Sequence, residues 1–528
     1  MKWAKSRCGR TQGILFGDSL DDTIPDSHPV RVFDQLLDKI DWNKFEARYT
    51  SHRGRPPIQP RIIVAVLLYG LIRGIRSSRA LEEALIVRLD FRWLADGLSI
   101  DHTTLSEFRR KFKEECKDLF VQLNQLAQQA FGVTFNRLAY DGTRIRANNR
   151  RSGSRSVETL EKVAADLPQE DLVTDQELKE EFELMNEEME NADGCEPKLP
   201  RDLADADKRA AALAKAAAEL KRIKEAGEAV PKRLPLTDPE SRITPNKEGG
   251  FAPNYTPLAT VDADFGMIAD SNVIAHTDEA EYLIESVDHV TETYGTKPET
   301  VMADPAMCSG PVLVEMEKRG VTFVSPLHDP AVNSAKRPDP TQPVPQDQWG
   351  KLPVNEVTVN GAKQKQLDKS AFIYDEQNDC YWCPNGQKLT RSSTTSQIKG
   401  KGQRIKETRY KADPSACAEC PLKALCLQAT GKTNKKPARQ ITRDEYEAVR
   451  QRHKERMATD EAKQQYRRRC AAVERPFAVI KQIFGVRQFL LRGKENVNTE
   501  WTWIATAFNV SQMLARPGDL AKLTGAGA

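Results

Sequence analysis

The stretch Leu138-Ala139-Tyr140-Asp141-Gly142 indicates the fold class, because it is a short apolar run that ends with an aspartate and a glycine. Such a run is typical of a buried strand that meets solvent at its end. The stretch Thr300-Val301-Met302-Ala303-Asp304 repeats the pattern farther along the chain. Helical runs at residues 279–294 and 312–319 alternate with the later strand patterns. This alternation predicts an α/β protein with an aspartate at the end of each of two strands.

A third acid, Glu474, lies in a helical pattern whose apolar face runs from Phe477 to Phe484. Two aspartates at strand ends and a glutamate on a helix could together hold two divalent cations next to a phosphodiester. Mg²⁺ (or Mn²⁺) takes carboxylate oxygens and keeps positions open for phosphate and water. We therefore predict that Asp141, Asp304 and Glu474 are catalytic metal ligands for phosphoryl transfer on nucleic acid. The rival residues for a metal position are Asp262 and Asp264.

Length and composition indicate a multidomain globular protein. The chain has 528 residues, of which 39% are hydrophobic and 29% charged, and this length suggests about three domains. No apolar run approaches the ~18 residues of a membrane span, and the first residues lack the apolar core of a signal peptide. We therefore predict a cytoplasmic protein.

The arginines are concentrated in stretches that contain no acid. Residues 51–80 contain six arginines and residues 142–155 contain five, and neither stretch contains an acid. Solvated helix faces are the commoner fate of a single charge run, but the second stretch follows Asp141 directly. Arginines beside catalytic carboxylates suit a polyanion, because contacts to phosphates supply most sequence-independent affinity. The candidates for DNA contact are Arg53, Arg55, Arg109, Arg110, Arg144 and Arg146.

The helical and strand patterns divide the chain into regions. Helices are predicted at residues 61–75, 78–88 and 101–131, the last beginning with the N-cap cluster Asp101-His102-Thr103-Thr104, in which we interpret His102 as structural. We predict an amino-terminal arm at 1–30, a helical DNA-binding domain at 31–133 and a catalytic core at 134–155 and 233–330. A charged helical insertion at 156–232, a cysteine-containing insertion at 331–440, core helices at 441–515 and a tail at 516–528 complete the division.

Five cysteines in the second insertion have the spacing of metal ligands. Cys380-x-x-Cys383 and Cys417-x-x-Cys420 each form a Cys-x-x-Cys segment, and Cys426 follows. Paired thiolates at this spacing close tetrahedral zinc sites. Because five cysteines compete for four positions, Cys426 is either an alternative ligand or a bystander. Disulfides are disfavoured in a reducing compartment, so we predict structural Zn²⁺.

Three segments carry a family resemblance. The run from Asp101 to Arg110 contains a histidine, small hydroxyls and a Phe-Arg pair, and the run from Thr237 to Arg242 precedes the second strand pattern. The third segment contains Tyr466, Arg469, Glu474 and Lys481. From about residue 30 to about residue 510, the chain resembles the DDE transposases of bacterial insertion sequences.

This resemblance implies a ribonuclease-H-like catalytic core that carries the helical domain and both insertions, the second of them zinc-ribbon-like. It implies an enzyme that binds the terminal inverted repeats of its element, cleaves DNA at the ends and joins them to target DNA by two-metal-ion phosphoryl transfer. The implied partner is double-stranded DNA, bound by a homo-oligomer that is a dimer on DNA. No membrane partner is implied, and the location is the bacterial cytoplasm, in association with the nucleoid.

The resemblance also implies roles for individual residues. Asp141, Asp304 and Glu474 would hold the metal ions, and Tyr466, Arg469 and Lys481 would grip terminal DNA phosphates. Four residues separate Arg469 from Glu474, whereas the family pattern has three. Either the arginine assignment shifts or Cys470 occupies its place.

Two other functions fit parts of the pattern. A non-catalytic, domesticated DNA-binding protein would keep the basic surfaces and the cysteines, although the three intact acids argue against it. A metal-dependent nuclease would cleave without strand transfer, and only an assay of joined products distinguishes it.

Overall fold

The computed structural model describes residue 3 and residues 19–49, 56–149, 153–164, 206–246, 249–327, 337, 339–359, 362–399, 403–427 and 438–516. Arg53 and Arg55, the acidic part of the first insertion and the tail lie outside the described residues. The chain forms two compact units. The core unit comprises Met1–Met307, Arg319–Val324 and Gln464–Ala528, and the cysteine unit comprises Cys308–Lys318 and Ser325–Lys463.

The amino-terminal part of the core unit is helical, as predicted. Its helices are α1 (Pro29–Leu37), α2 (Asn43–Glu46), α3 (Pro60–Ile72), α4 (Ser78–Val87), α5 (Leu89–Leu94), α6 (His102–Lys111) and α7 (Lys113–Phe131). α3 begins with a proline, whose missing N–H is tolerated in the first turn, and is buried along most of its length. Asp101 caps α6 by accepting from the Thr104 N–H at 2.8 Å.

The prediction of one continuous helix at residues 101–131 is wrong, because the helix is interrupted at Phe112 (φ −97°, ψ 62°). The ring of Phe112 stacks on that of Phe108 with centroids 4.1 Å apart and also packs on Phe45. Burial of this aromatic group in the core is worth more than one helical hydrogen bond. Tertiary packing therefore divides the predicted helix into α6 and α7.

The sheet of the core unit is mixed. Within the described residues it has seven strands: β1 (Arg137–Gly142), β2 (Ile145–Arg146), β5 (Arg242–Pro245), β6 (Phe251–Asp262), β7 (Ile268–Ile274), β8 (Thr300–Met302) and β9 (Thr322–Val324). β7, β6 and β1 are successive antiparallel neighbours, and β1, β8 and β9 are successive parallel neighbours. An antiparallel meander followed by parallel strands is the order expected of the predicted core.

Three helices that follow β7 in the chain belong wholly or largely to the core unit. They are α10 (Ala280–Tyr294), α15 (Asp460–Ala478), which begins in the other unit, and α16 (Lys494–Leu514). α16 is buried on nearly all sides and packs on α1, α3, α6, α7 and β7. Its Trp501 indole donates to the carbonyl of Leu258 at 2.9 Å, and its Asn509 amide donates to Asn124 and to the carbonyl of Ile268. This helix therefore joins the helical region to the sheet.

A pair of helices lies in the chain between β1 and β6. α8 (Val157–Ala164) packs on α9 (Ala206–Glu225), and β3 (Ser154–Ser156) pairs with β4 (Arg233–Pro235) beside them. Leu160 of α8 forms a small separate apolar cluster with residues of α9 and the segment after it, namely Leu213, Ala216, Leu220, Ile223, Leu234 and Leu236. Residues 165–205, which connect the helices, lie outside the described residues.

The cysteine unit is built on antiparallel strands. β12 (Ile373–Asp375), β13 (Cys380–Trp382), β14 (Lys388–Lys399), β15 (Gln403–Ala412) and β16 (Gln440–Asp444) form one sheet, and β10 (Val354–Val359) pairs with β11 (Ala362–Leu367). Its helices are α11 (Gly310–Lys318), α12 (Pro414–Ala418), α13 (Lys423–Cys426) and α14 (Glu447–Met457). No helix that the structure describes in either unit has the length and apolarity needed to cross a membrane.

Candidate active site

Asp141 and Asp304 lie at the carboxyl ends of neighbouring parallel strands. The last residue pair between β1 and β8 is Ala139 with Met302, and each aspartate follows two residues later. Because parallel strands end at the same edge of a sheet, this register brings the two acids together. Oδ1 of Asp141 accepts from the Gly142 N–H at 2.9 Å, and Oδ1 of Asp304 accepts from the Ala306 N–H at 3.1 Å.

Arg469 of α15 contacts both aspartates. Its Nη2 atom lies 3.2 Å from Oδ2 of Asp141 and 3.7 Å from Oδ2 of Asp304. The arginine is 6% exposed, while the side chains of Asp141 and Asp304 are 22% and 46% exposed. One buried guanidinium thus balances two carboxylates that solvent can reach.

Tyr466 lies one helical turn before Arg469 and hydrogen-bonds to it. Burial raises the pKa of the Tyr466 hydroxyl, and the charges of Arg469 and Asp304 act on it in opposite directions. Tyr466, Arg469 and the two aspartates therefore form one polar cluster. Cys470, the other candidate for the position of the arginine, is exposed.

Glu474 does not face this cluster. It is exposed, and the residue before it, Val473, is 1% exposed. Arg469 and Val473 are four residues apart and share a helix face, whereas Glu474 lies about 140° around the helix from Arg469. The extra residue before Glu474 thus brings Val473, rather than the acid, to the buried face.

Lys481 reaches the end of β1. Its Nζ donates to Oγ1 of Thr143 at 2.5 Å, two residues beyond Asp141. Seven residues along a regular α-helix would align Lys481 with Glu474, but Val479–Ile483 is a π-helical turn and Pro476 lies within α15. A π turn changes the phase of the helix, which accounts for the different directions of the two side chains. Thr143 was not a predicted site residue, and a hydroxyl in a basic stretch gives no sequence signal.

The rival acids have structural partners. Asp262 is fully buried and accepts from the N–H groups of Asp264 and Phe265 at 3.1 and 2.7 Å, and burial raises its pKa. Asp264 pairs with Arg137 at 2.5 Å. Both carboxylates therefore hold the turn between β6 and β7.

Two family models match the chain. Residues 382–514 match the model described as "Transposase DDE domain", and residues 18–111 match the model described as "Transposase domain (DUF772)". No curated protein matches the chain significantly. The two matches support a DDE transposase of insertion sequences. Such transposases are nucleotidyl-transfer enzymes that act on DNA and generally use divalent metal ions.

The aspartate pair of this transposase fits a divalent cation in part. Asp141 and Asp304 supply hard carboxylate oxygens that already converge on one positive charge, Nη2 of Arg469. Across the described residues, however, no three side chains of His, Cys, Asp or Glu are close enough to hold a metal ion as they stand. Glu474 is therefore not assembled with the two aspartates.

The arginines proposed to contact DNA differ in exposure. Arg109 is 7% exposed and donates to the carbonyl of Arg76 at 3.1 Å, while Arg110 beside it is exposed. Burial lowers the pKa of Arg109, and the charge of Glu500 opposes this effect. A buried guanidinium cannot reach a phosphate, so Arg110 is the better candidate of the two for contact with DNA.

The remaining predicted arginines of the transposase lie near β2. Arg144 is half-buried and donates to the carbonyl of Pro245 at 3.0 Å, and Arg146 is exposed. Arg146 is therefore the exposed arginine closest in sequence to Asp141 among the described residues.

His102, for which the sequence predicts a structural role, has its Nδ1 atom 2.8 Å from Oε2 of Glu82.

Four of the five cysteines line one small cavity in the cysteine unit. Cys383, Cys417, Cys420 and Cys426 share a space of about 30 Å³. Cys380 is buried, but it does not line this cavity. All five are free thiols.

Proposed function

We propose that this transposase binds the terminal inverted repeats of its element, cleaves DNA at the ends and joins them to target DNA. The reaction is two-metal-ion phosphoryl transfer at Asp141 and Asp304, with Glu474 as the third acid. The observation that carries the proposal is the convergence of both aspartates on Nη2 of Arg469. Two carboxylates that converge on one positively charged group at a sheet edge could also converge on a metal ion, as a metal-dependent phosphoryl transfer needs.

Asp141 and Asp304 would hold Mg²⁺ or Mn²⁺, which activates the attacking oxygen and stabilises the leaving oxygen when bound. Arg469 keeps the two carboxylates together while no cation lies between them, since two like charges repel. Lys481, whose Nζ is at Thr143, presents a positive charge beside Asp141 for a DNA phosphate. Tyr466 orients Arg469 through its hydrogen bond.

Glu474 needs a local rearrangement to join the pair. The π turn at Val479–Ile483 and Pro476 interrupt regular hydrogen bonding directly after it, and such interruptions allow a helix to change phase. We propose that DNA binding turns this part of α15 so that Glu474 replaces Arg469 at the aspartates. Arg469 is then released toward a phosphate.

The exposure of Glu474 also favours a second function. A chain in which Val473 permanently occupies the buried position would bind DNA without cutting it. This is the domesticated DNA-binding protein considered above. The two functions differ in one measurable property, the cleavage of repeat DNA.

Other regions of the chain have proposed roles. We assign DNA binding to the helical region at 31–133, with Arg53, Arg55 and Arg110 in contact with phosphates, and to Arg144 and Arg146 near the catalytic edge. The segments at 156–232 and 331–440 would be insertions in a ribonuclease-H-like core. The enzyme would act as a dimer on DNA, in the cytoplasm and at the nucleoid.

The test uses linear DNA that carries the terminal repeats of the element, Mg²⁺ and a target plasmid. We expect cleaved ends and joined products from the natural chain, and neither from Glu474→Gln. The matched control is Glu461→Gln, an exposed acid in the first turn of the same helix, which should keep activity. DNA binding without cleavage by the natural chain would establish the non-catalytic function, and cleavage without joining would establish a nuclease.

A further inference from the structure

The cavity between Cys383, Cys417, Cys420 and Cys426 is built from three separate segments of the cysteine unit. Cys383 follows β13, Cys417 lies in α12 with Cys420 just beyond it, and Cys426 ends α13. The cavity of about 30 Å³ is large enough to hold one small ion or water molecule. Four thiols from three segments around such a small space are the donor set of a closed tetrahedral site.

Cys380 is separated from this cavity by the geometry of a strand. β13 runs from Cys380 to Trp382, and side chains alternate between the two faces of a strand. Cys380 and Cys383 are three positions apart, so they point to opposite faces. The aromatic and aliphatic cluster that packs on Cys383, Cys417, Cys420 and Cys426 accordingly excludes Cys380, although Cys380 is itself only 1% exposed. The first Cys-x-x-Cys segment is therefore not a chelating pair.

The backbone around Cys383 has the form of a metal-binding turn. The Gln387 N–H donates to Sγ of Cys383 at 3.3 Å, and the Gly386 N–H donates to the carbonyl of Cys383 at 2.9 Å. Gly386 has φ of 71°, and a Cβ atom there would lie 2.3 Å from the carbonyl oxygen of Thr341. Only glycine fits this turn. N–H groups directed at sulfur stabilise a negative charge on it.

A positive charge lines the same cavity. The Arg439 guanidinium donates to the carbonyls of Cys426 and Leu367 at 3.1 and 2.8 Å, which fixes its position. Four thiolates and one Zn²⁺ carry a net charge of about −2. A cation of the protein at the edge of the site offsets part of this charge.

We propose that Cys383, Cys417, Cys420 and Cys426 bind one structural Zn²⁺, and that Cys380 is a buried bystander. As they stand, no three of these groups in the described part of the chain are close enough to hold a metal ion. Zn–S bonds are about 2.3 Å long, so the ion draws the four sulfurs inward and closes the cavity. Zinc thereby ties α12 and α13 to the end of β13, at positions remote in sequence from the phosphoryl-transfer residues.

The first experiment measures the zinc content of the purified full-length chain by atomic emission, and the absorption spectrum after replacement of zinc by Co²⁺. We expect about one zinc per chain and the sulfur-to-cobalt charge-transfer bands of a tetrahedral four-thiolate site. Cys383→Ser, Cys417→Ser, Cys420→Ser and Cys426→Ser should each lose most of the zinc. The matched control, Cys380→Ser, changes a buried cysteine of the same unit and should keep the zinc.

Loss of zinc in Cys380→Ser, or full zinc content in Cys426→Ser, would overturn the assignment. A purified chain without zinc, or one in which these cysteines form disulfides, would overturn it as well. If the ligand variants fail to fold, alkylation of the natural chain decides the matter. Removal of zinc by a chelator should expose Cys383, Cys417, Cys420 and Cys426 to the reagent, while exposed Cys470 reacts throughout. Equal labelling of the four cysteines with and without zinc would contradict the proposal.

Discussion

The aspartate pair of the core unit and the cysteine cluster of the cysteine unit both gather metal-binding groups, but they balance charge differently. The carboxylates of Asp141 and Asp304 are partly exposed and face one arginine. The thiol of Cys426 is buried and that of Cys383 is partly buried, and burial raises the pKa of both, that of Cys426 to about 12. An exposed, charged pair with a movable counter-ion suits an exchangeable cation. A set of largely buried thiols suits an ion that enters once and stays.

The largest expected effect concerns the aspartates. Asp141→Asn and Asp304→Asn should each reduce cleavage of repeat DNA by at least about 10³-fold, because each removes a ligand worth several kcal/mol in the transition state. DNA affinity should change little, since arginines and lysines supply it. Gel assays of cleavage and binding check both quantities.

Asp264→Asn is the control for this prediction, because Asp264 pairs with Arg137 rather than with Arg469. It should leave cleavage within a few-fold of the natural chain. Near-normal cleavage by either Asp141→Asn or Asp304→Asn would remove that residue from the site.

Arg469→Gln tests whether the aspartate pair is balanced by a movable counter-ion. Without DNA, the variant should bind Mn²⁺ about tenfold more tightly than the natural chain, because no guanidinium competes for the carboxylates. Its melting temperature without metal should fall, since two like charges then face each other. Electron paramagnetic resonance titration of Mn²⁺ and melting curves measure the two effects.

Arg468→Gln is the matched control, since Arg468 precedes Arg469 on α15 and is exposed. It should change neither property. Unchanged or weaker Mn²⁺ binding by Arg469→Gln would show that the arginine does not compete with the cation.

Variants of the adjacent residues Arg109 and Arg110 should distinguish an arginine that stabilises the fold from one that contacts DNA. Arg110→Ala should reduce the slope of log affinity against log salt by about one unit, because one phosphate contact is lost. Arg109→Ala should leave the slope unchanged and lower the free energy of unfolding by about 2 kcal/mol, because the buried Glu500 carboxylate loses a nearby charge. Binding titrations at several salt concentrations and urea unfolding provide the measurements. A normal slope for well-folded Arg110→Ala would exclude this face from DNA contact.

The smallest effects come from one histidine in each unit. A hydrogen bond to Asp270 raises the pKa of His289 in the core unit, so its stabilising contribution is complete below pH 6.5 and is lost as the pH rises through the higher folded pKa. Burial lowers the pKa of His453 in the cysteine unit, so stability there falls as the pH drops below 6.5.

His289→Gln should therefore flatten the pH dependence of the melting temperature above pH 6.5, and His453→Gln should flatten it below. His289 is about half exposed, and solvent screening limits its effect to a few tenths of a kcal/mol. Melting curves from pH 5 to pH 8 compare both variants with the natural chain. Identical pH profiles for the two variants would contradict the opposite signs.

The strand-end aspartates were predictable because short apolar runs and their ends are local signals. β1 and β8 lie where the sequence predicts them, and their parallel register could be expected from the intervening helix α10. The break at Phe112 was not predictable, because it depends on the packing of an aromatic ring against residues distant in sequence. Local helix propensity therefore predicts the helical region but not its division into α6 and α7.

The phase of α15 was partly predictable. Arg469, Val473 and Phe477 recur at a spacing of four, which already indicates a buried face that excludes Glu474. The direction of Lys481 was not predictable, because it follows from a π turn that no residue pattern indicates. For the cysteines, spacing alone suggests two chelating pairs. In the structure, β13 begins at Cys380, so the segment from Cys380 to Cys383 runs along a strand and is not a chelating pair.

α16 is the last element that the core unit needs, and it follows in sequence every element it packs against. During synthesis, α3, α7 and β7 emerge from the ribosome long before the helix that covers them. Their apolar surfaces stay uncovered until Lys494–Leu514 has been made, and such intermediates aggregate or recruit chaperones. A chain shortened before Lys494 would lack the helix that covers α3 and α7. Its helical region would therefore not fold stably, and the shortened chain would compete poorly with the longer protein for DNA.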